Sequence, residues 1–72
     1  MQYDYSKLKG RIREIFGTDA AFANAIGLSA RSVSLKLNMK RAWTQPDMEK
    51  AAEVLKFPED EIQTYFFTRK VQ

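Results

Sequence analysis

The chain has 72 residues, with twelve Lys and Arg against nine Asp and Glu and neither cysteine nor histidine. Those absences exclude disulfides, thiolate or imidazole metal sites and Cys/His nucleophilic dyads, so neither a metal nor a cofactor is expected. The apolar runs are only a few residues long and the first residues hold no hydrophobic signal core, so a cytoplasmic protein is expected. At this length the expectation is a single domain over residues 1–72, with one small core that buries roughly 60% of the unfolded surface.

Charge is divided unevenly. Residues 1–43 carry eight bases (Lys7, Lys9, Arg11, Arg13, Arg31, Lys36, Lys40, Arg41) and three acids (Asp4, Glu14, Asp19), a balance of +5. Residues 44–72 carry four bases and six acids, a balance of −2. The basic part suits a polyanion and the acidic part a basic partner, although solvated helix faces of either sign explain the same pattern.

The first helix is predicted over residues 5–16, where Leu8, Ile12, Ile15 and Phe16 make an amphipathic stripe, Asp4 caps the start and Gly17 ends it. Its Lys and Arg point away from that stripe and read mostly as solubilising. Gly10 costs about 1 kcal/mol against Ala inside a helix, and marks either a close approach or nothing.

The second helix, residues 19–26, starts from Thr18 as N-cap. Phe22, Ala23 and Ile26 form its inner face, with small Ala23 where two crossing helices come closest. Gly27 permits the positive φ that turns the chain, and Leu28 plugs the corner. A helix N-terminus favours a phosphate, so Thr18 is either a cap alone or also a phosphate contact; Asp19 beside it would repel one.

The third helix, residues 30–37, has Ser29 as N-cap and Val33 and Leu37 facing inward. Ala30, Arg31, Ser34 and Leu35 project outward or sideways, with Asn38 at the end. Arg31 can fork onto a guanine edge, Ser34 can bond any base edge, and Ala30 can touch a thymine methyl. Leu35 either tucks into the core edge, touches a thymine methyl or meets another protein's apolar patch. Asn38 is expected in the left-handed conformation that ends a helix, Lys40 and Arg41 to flank a DNA backbone, and Trp43 to anchor the core with an indole NH that needs a partner if buried.

The fourth helix, residues 45–55, opens with Thr44 as cap, Pro46 in the first turn and Asp47 in capping-box position, and buries Met48, Ala51, Ala52 and Leu55. Pro58 separates it from the fifth, residues 59–67, where Glu59, Asp60 and Glu61 suit the positive end of the helix dipole better than a catalytic role. Ile62 and Phe66 share a face while Tyr65 and Phe67 point elsewhere; three adjacent aromatics overfill so small a core, which suggests an association surface. The tail from Thr68 to Gln72 is expected to fray.

The residues from Thr18 to Asn38 therefore read as two short helices joined by a tight turn, the grammar of a helix-turn-helix, within an all-α, five-helix domain. That order, the Ala23, Gly27 and Val33 pattern, the opening Tyr3-Asp-Tyr-Ser-Lys-Leu-Lys-Gly-Arg-Ile and the closing Tyr65-Phe-Phe resemble the small Cro-like helix-turn-helix proteins of temperate phages, of lambda repressor/Cro-like fold. Within that group the chain is most similar to the modulators of repression of phages that infect lactic acid bacteria, and the likeness spans nearly the whole chain. It departs at Met39, where such proteins often have glycine, and at Lys36, where many bury an apolar residue; both bear on the path at the end of the third helix.

The resemblance implies a role in the choice between lysis and lysogeny. In one mechanism the chain binds the DNA-binding domain of a CI-type repressor and masks it, acting as an antirepressor. In the other it binds operator DNA, with Arg31 and Ser34 on bases and Thr18, Lys36, Lys40 and Arg41 on phosphates. The recognition set for partner or DNA is Ser29, Ala30, Arg31, Ser34, Leu35 and Asn38. The sparse polar face and Leu35 favour the protein partner; the +5 of residues 1–43 favours DNA. An enzyme finds no support, since no nucleophile and base pair, metal cluster or glycine-rich phosphate loop is present.

Overall fold

The computed structural model describes residues 3–69. Five α-helices follow one another, α1 (Ser6–Phe16), α2 (Asp19–Ala25), α3 (Ala30–Leu37), α4 (Gln45–Val54) and α5 (Ile62–Phe66), and a 3-10 turn (Glu59–Glu61) leads into α5. Among the described residues the extended structure is a lone antiparallel bridge between Tyr3 and Arg69.

Side chains start the helices as the sequence predicts. The Ala21 amide donates to Thr18 Oγ1 at 3.1 Å, and the Ser32 amide to Ser29 Oγ at 3.1 Å. At α4 the Asp47 amide donates to Thr44 Oγ1 at 3.2 Å while Asp47 Oδ2 accepts from the Thr44 amide at 3.1 Å, a closed capping box. Asp4 Oδ1 accepts from the Ser6 amide at 2.8 Å, one residue earlier than a regular N-cap.

The helix ends repeat one device. Leu28 N donates to Ala23 O, Lys40 N to Leu35 O and Phe57 N to Ala52 O, at 2.9, 2.8 and 3.1 Å. These are the long bonds of Schellman closures, whose turning residues are Gly27 (φ 77°), Met39 (φ 60°) and Lys56 (φ 60°). Asn38, expected to be left-handed, is not: its φ is −97°, and its side chain instead donates from Nδ2 to Ser34 O at 2.8 Å. Met39 takes the turn one residue later, at the position where the resemblance calls for glycine.

The core joins every helix. Leu8 and Ile12 of α1, Phe22 and Ala23 of α2, Val33 and Leu37 of α3, Ala51 and Ala52 of α4, and Tyr65 and Phe66 of α5 are buried, together with Ile26, Leu55 and Phe57 from the connections. Tyr65 does not point elsewhere, because Phe57 offers it a stacking partner at 4.1 Å between ring centroids, 15° from parallel. Of the three adjacent aromatics only Phe67 stays out, 42% exposed and edge-on to Tyr3. The start of the tail is held: the Asp4 amide donates to Thr68 O at 2.7 Å, beside the Tyr3–Arg69 bridge. The rest of the tail expected to fray, residues 70–72, lies outside the described residues. Nothing lies within 4 Å of the Cβ position at Gly10, so no close approach explains that glycine.

Candidate recognition surface

α2, the turn at Gly27 and α3 form a helix-turn-helix in which α3 turns one face to solvent. Ser29, Ala30, Arg31 and Ser34 are exposed along it, and Leu35 is half-buried at its edge. Ser29 Oγ donates to Ser32 Oγ at 3.0 Å, so both hydroxyls at the start of α3 are engaged locally. No described residue holds Arg31, whose guanidinium is free to meet a partner. Arg41 folds back towards α3, with Nη1 at 3.5 Å from Ser32 Oγ, a loose contact for an exposed guanidinium. Lys40 is exposed just past the helix end. Thr18 is exposed at the start of α2, its hydroxyl accepting from the Ala21 amide. Asn38 is exposed, with its amide group committed to Ser34.

Lys36 is the residue the sequence misplaces. Its ammonium, taken above as a phosphate contact, is buried, with 7% side-chain exposure, and donates to Asp47 Oδ2 and to Ala42 O, both at 2.8 Å. It also lies 5.8 Å from the centre of the Trp43 ring. A group so desolvated and doubly bonded cannot reach a DNA backbone, and Lys36 leaves the set of phosphate contacts. The signal was present: Lys36 stands at i+3 from Val33 and beside Leu37, on the inner stripe of α3. What sequence could not supply was the counter-ion, because Asp47 lies eleven residues away and has a sufficient local reason to be there as a cap.

The pair also shapes the electrostatics. Burial pushes the Asp47 carboxyl up, but the hydrogen bond from Lys36, those from Thr44 and the Lys36 charge outweigh it, and its pKa falls below the ordinary carboxylate value. The ion pair therefore ties the end of α3 to the first turn of α4. Trp43 fills the angle between them, edge-on to Phe66 at 5.1 Å and to Tyr5 at 6.5 Å. Its indole NH is buried, and no described group accepts from it.

Arg11 also has a task that its reading as a solubilising residue missed. Its Nε donates to Leu55 O at 2.9 Å and its Nη2 to Lys56 O at 3.3 Å, so a cation on α1 covers the two carbonyls that follow the C-terminal end of α4. Among the described residues no group of His, Cys, Asp and Glu is placed to hold a metal ion, and no helix is long and apolar enough to cross a membrane.

A two-helix unit closed by a Schellman turn, with the second helix presented on a small all-α core, is the helix-turn-helix class of recognition domain. The comparisons then place the chain. A family model described as "Protein of unknown function (DUF739)" matches residues 1–69, and the chain belongs to that family. Among solved structures it is similar to the solution structure of the modulator of repression (MOR) of the temperate bacteriophage TP901-1 from Lactococcus lactis. The identity is 50% and the TM-score 0.82, over 100% of this chain and 97% of that one. No curated protein matches the chain.

Proposed function

We propose that this chain is a phage regulator of the lysis/lysogeny switch, an antirepressor that acts in the cytoplasm of the bacterial host by binding the DNA-binding domain of a CI-type repressor. The observation that carries the reading is the 50% identity, over the whole chain, to a protein described as a modulator of repression. The α3 surface supports a protein partner. With Lys36 turned inward, its outward face offers one free guanidinium, small residues that allow close approach and the edge of Leu35. Arg31 can pair bidentately with a partner carboxylate, and Leu35 can enter an apolar groove. A second reading, direct operator binding of the Cro type, rests on the exposed Arg31, Lys40 and Arg41 and on the helix start at Thr18. With the protein partner first, any DNA binding by the chain alone is expected to be weak, steeply salt-dependent and poorly discriminating, because phosphate contacts outnumber base contacts.

Gel-shift and size-exclusion runs on switch-region DNA with the chain, the repressor and their mixture separate the two readings. The expected result is a chain–repressor complex and loss of the repressor–DNA band. Arg31→Ala and Leu35→Ala should each weaken that complex about tenfold or more, with thermal melts confirming the fold of the half-buried Leu35 variant. Tight, operator-selective DNA binding by the chain alone would put the Cro-type reading first.

A further inference from the structure

We infer that the chain grips the cationic, DNA-contacting residues of the repressor with the carboxylate-rimmed grooves along α4 and α5, in addition to the α3 surface; this rests on the function proposed above. Two open grooves meet on this side. One, of about 550 Å³, runs between α4 and the Phe57–Glu59 segment, over Ala52 and Phe57 and between Pro46 and Pro58. The other, of about 330 Å³, follows Met48, Ile62 and Phe67. Glu49 and Glu59 line both, so the apolar floors share one acidic rim. Phe67 is 42% exposed at the far end, an aromatic ring left uncovered in a chain that buries Tyr65 and Phe66 beside it.

The charge identifies the occupant. Glu49, Glu53, Glu59, Asp60 and Glu61 are all exposed, and none pairs with a described cation, the described ion pairs being Arg11–Glu14 and Lys36–Asp47. Among the described residues Lys50 is the one base that lines either groove. The dipole of a three-residue 3-10 turn accounts for the acids of residues 59–61, but not for Glu49 and Glu53 in the body of α4. The α3 side has the opposite sign, with Arg31, Lys40 and Arg41 exposed.

A surface that binds DNA must present Lys and Arg to phosphates, and such residues are attracted by the α4–α5 carboxylates, while Arg31 on α3 is left for a carboxylate elsewhere on the same domain. The side chains also match. Lys and Arg lay apolar stems along apolar surface and keep their heads polar, and a guanidinium forks onto a carboxylate. Proline, phenylalanine, methionine and isoleucine floors beneath a rim of glutamates offer both halves. The Asp47–Lys36 bond fixes the first turn of α4, which borders both grooves at Gln45 and Pro46, to the end of α3. Groove and recognition helix are thus held in one relation. The carboxylates stand in for phosphates, and the repressor cannot hold DNA and this rim with the same residues.

Isothermal titration of the purified CI-type repressor with the chain, at 50 and 300 mM NaCl, tests this. Glu49→Gln/Glu53→Gln/Glu59→Gln and, separately, Phe67→Ser should each weaken binding tenfold or more, with an unchanged helical circular dichroism spectrum. Wild-type affinity should fall steeply with salt and that of the triple variant much less, while Lys50→Gln should tighten binding at low salt. If the wild-type chain binds the repressor and all groove variants bind with its affinity and salt dependence, the inference is overturned and the proposed function stands. If the wild-type chain does not bind the repressor, the proposed function fails and this inference with it.

Discussion

The ends of α2 and α4 are built alike, yet one is written in the sequence and the other is not. Both close with the same long amide-to-carbonyl bond, Leu28 to Ala23 and Phe57 to Ala52, and both turn through a left-handed residue. At α2 that residue is Gly27, which announces the turn; at α4 it is Lys56, which announces nothing. The difference runs through the molecule. From Thr18 to Leu37 the structure follows from neighbours in sequence: two hydroxyl caps, one glycine turn, one inward stripe. At Lys36, and outside that stretch, it follows from residues brought together in space: Lys36 on Asp47, Arg11 on the carbonyls of Leu55 and Lys56, Phe57 on Tyr65. Locally specified turns can be read directly. Turns imposed by tertiary packing tolerate residues that would not choose them, at a cost in strain of about 1–3 kcal/mol each.

The largest test of this contrast is to break the link between the two regions. Asp47→Ala leaves the Lys36 ammonium buried without its counter-ion and also opens the capping box of α4, and should cost about 3–5 kcal/mol. For a domain of this size, whose total stability is on the order of 4–11 kcal/mol, that is a large share. Lys36→Met leaves the Asp47 carboxylate without its counter-ion but keeps its bonds with Thr44 and the capping box, and should cost less, about 1–2 kcal/mol. Urea unfolding of the two variants measures the asymmetry, and equal losses would mean that the pair is not desolvated in solution. The pH dependence follows from the depressed Asp47 pKa. The carboxylate contributes stability that is complete above the unfolded value of about 3.9 and is lost as pH falls through the folded value. Melting temperatures of wild type and Lys36→Met should therefore converge below pH 4, with wild type losing more.

This link also marks how far sequence reasoning reaches. The all-helical fold, the caps at Thr18, Ser29 and Thr44 and the inner faces of α1 to α3 are legible because each depends on residues within one or two turns. The exposure of Arg31 and Ser34 on α3 was legible for the same reason, since once Val33 and Leu37 face inward, these two must face out. Lys36 failed the same reasoning: its register said buried and its charge said exposed, and only the position of Asp47 in space decides between them. Asn38 failed differently. Its preference for left-handed backbone is real, but the closure from Lys40 N to Leu35 O fixes which residue must turn, and that residue is Met39. The aromatic end was half legible, because one ring of three had to stay out and only the position of Phe57 selects Phe67.

Within the locally written region the corresponding test is steric. Ala23 is 1% exposed at the crossing of α2 with its neighbours, so Ala23→Leu adds three carbons where there is no space. Overpacking of this kind should cost about 1–3 kcal/mol, less than the loss of Asp47 because helices can shift slightly where a buried charge cannot be satisfied. Chemical denaturation reads the change, with circular dichroism checking that helix content is kept. A loss below the error of that measurement would show slack at the crossing and remove the reason given for a small residue there.

The smallest effect isolates the comparison between the two helix ends. Lys56 holds φ 60° with a side chain that no described residue holds, and its carbonyl accepts from Arg11 Nη2, a bond that glycine retains. An L-residue in this region costs about 1–2 kcal/mol, and glycine returns part of that gain through the greater entropy of the unfolded chain. Lys56→Gly should therefore stabilise the domain by about 0.5 kcal/mol, whereas Gly27→Ala, forced to φ 77° although no atom lies near its Cβ, should destabilise it by about 1 kcal/mol. Met39 is a poorer probe, since its Sδ accepts from the Tyr3 amide at 3.4 Å and its loss would change two things at once. Paired urea curves for Lys56→Gly and Gly27→Ala should move in opposite directions. If Lys56→Gly instead lowers stability, the α4 end is held by the lysine side chain and not merely tolerated by it, and the division between locally written and packing-imposed turns fails where it was drawn most sharply.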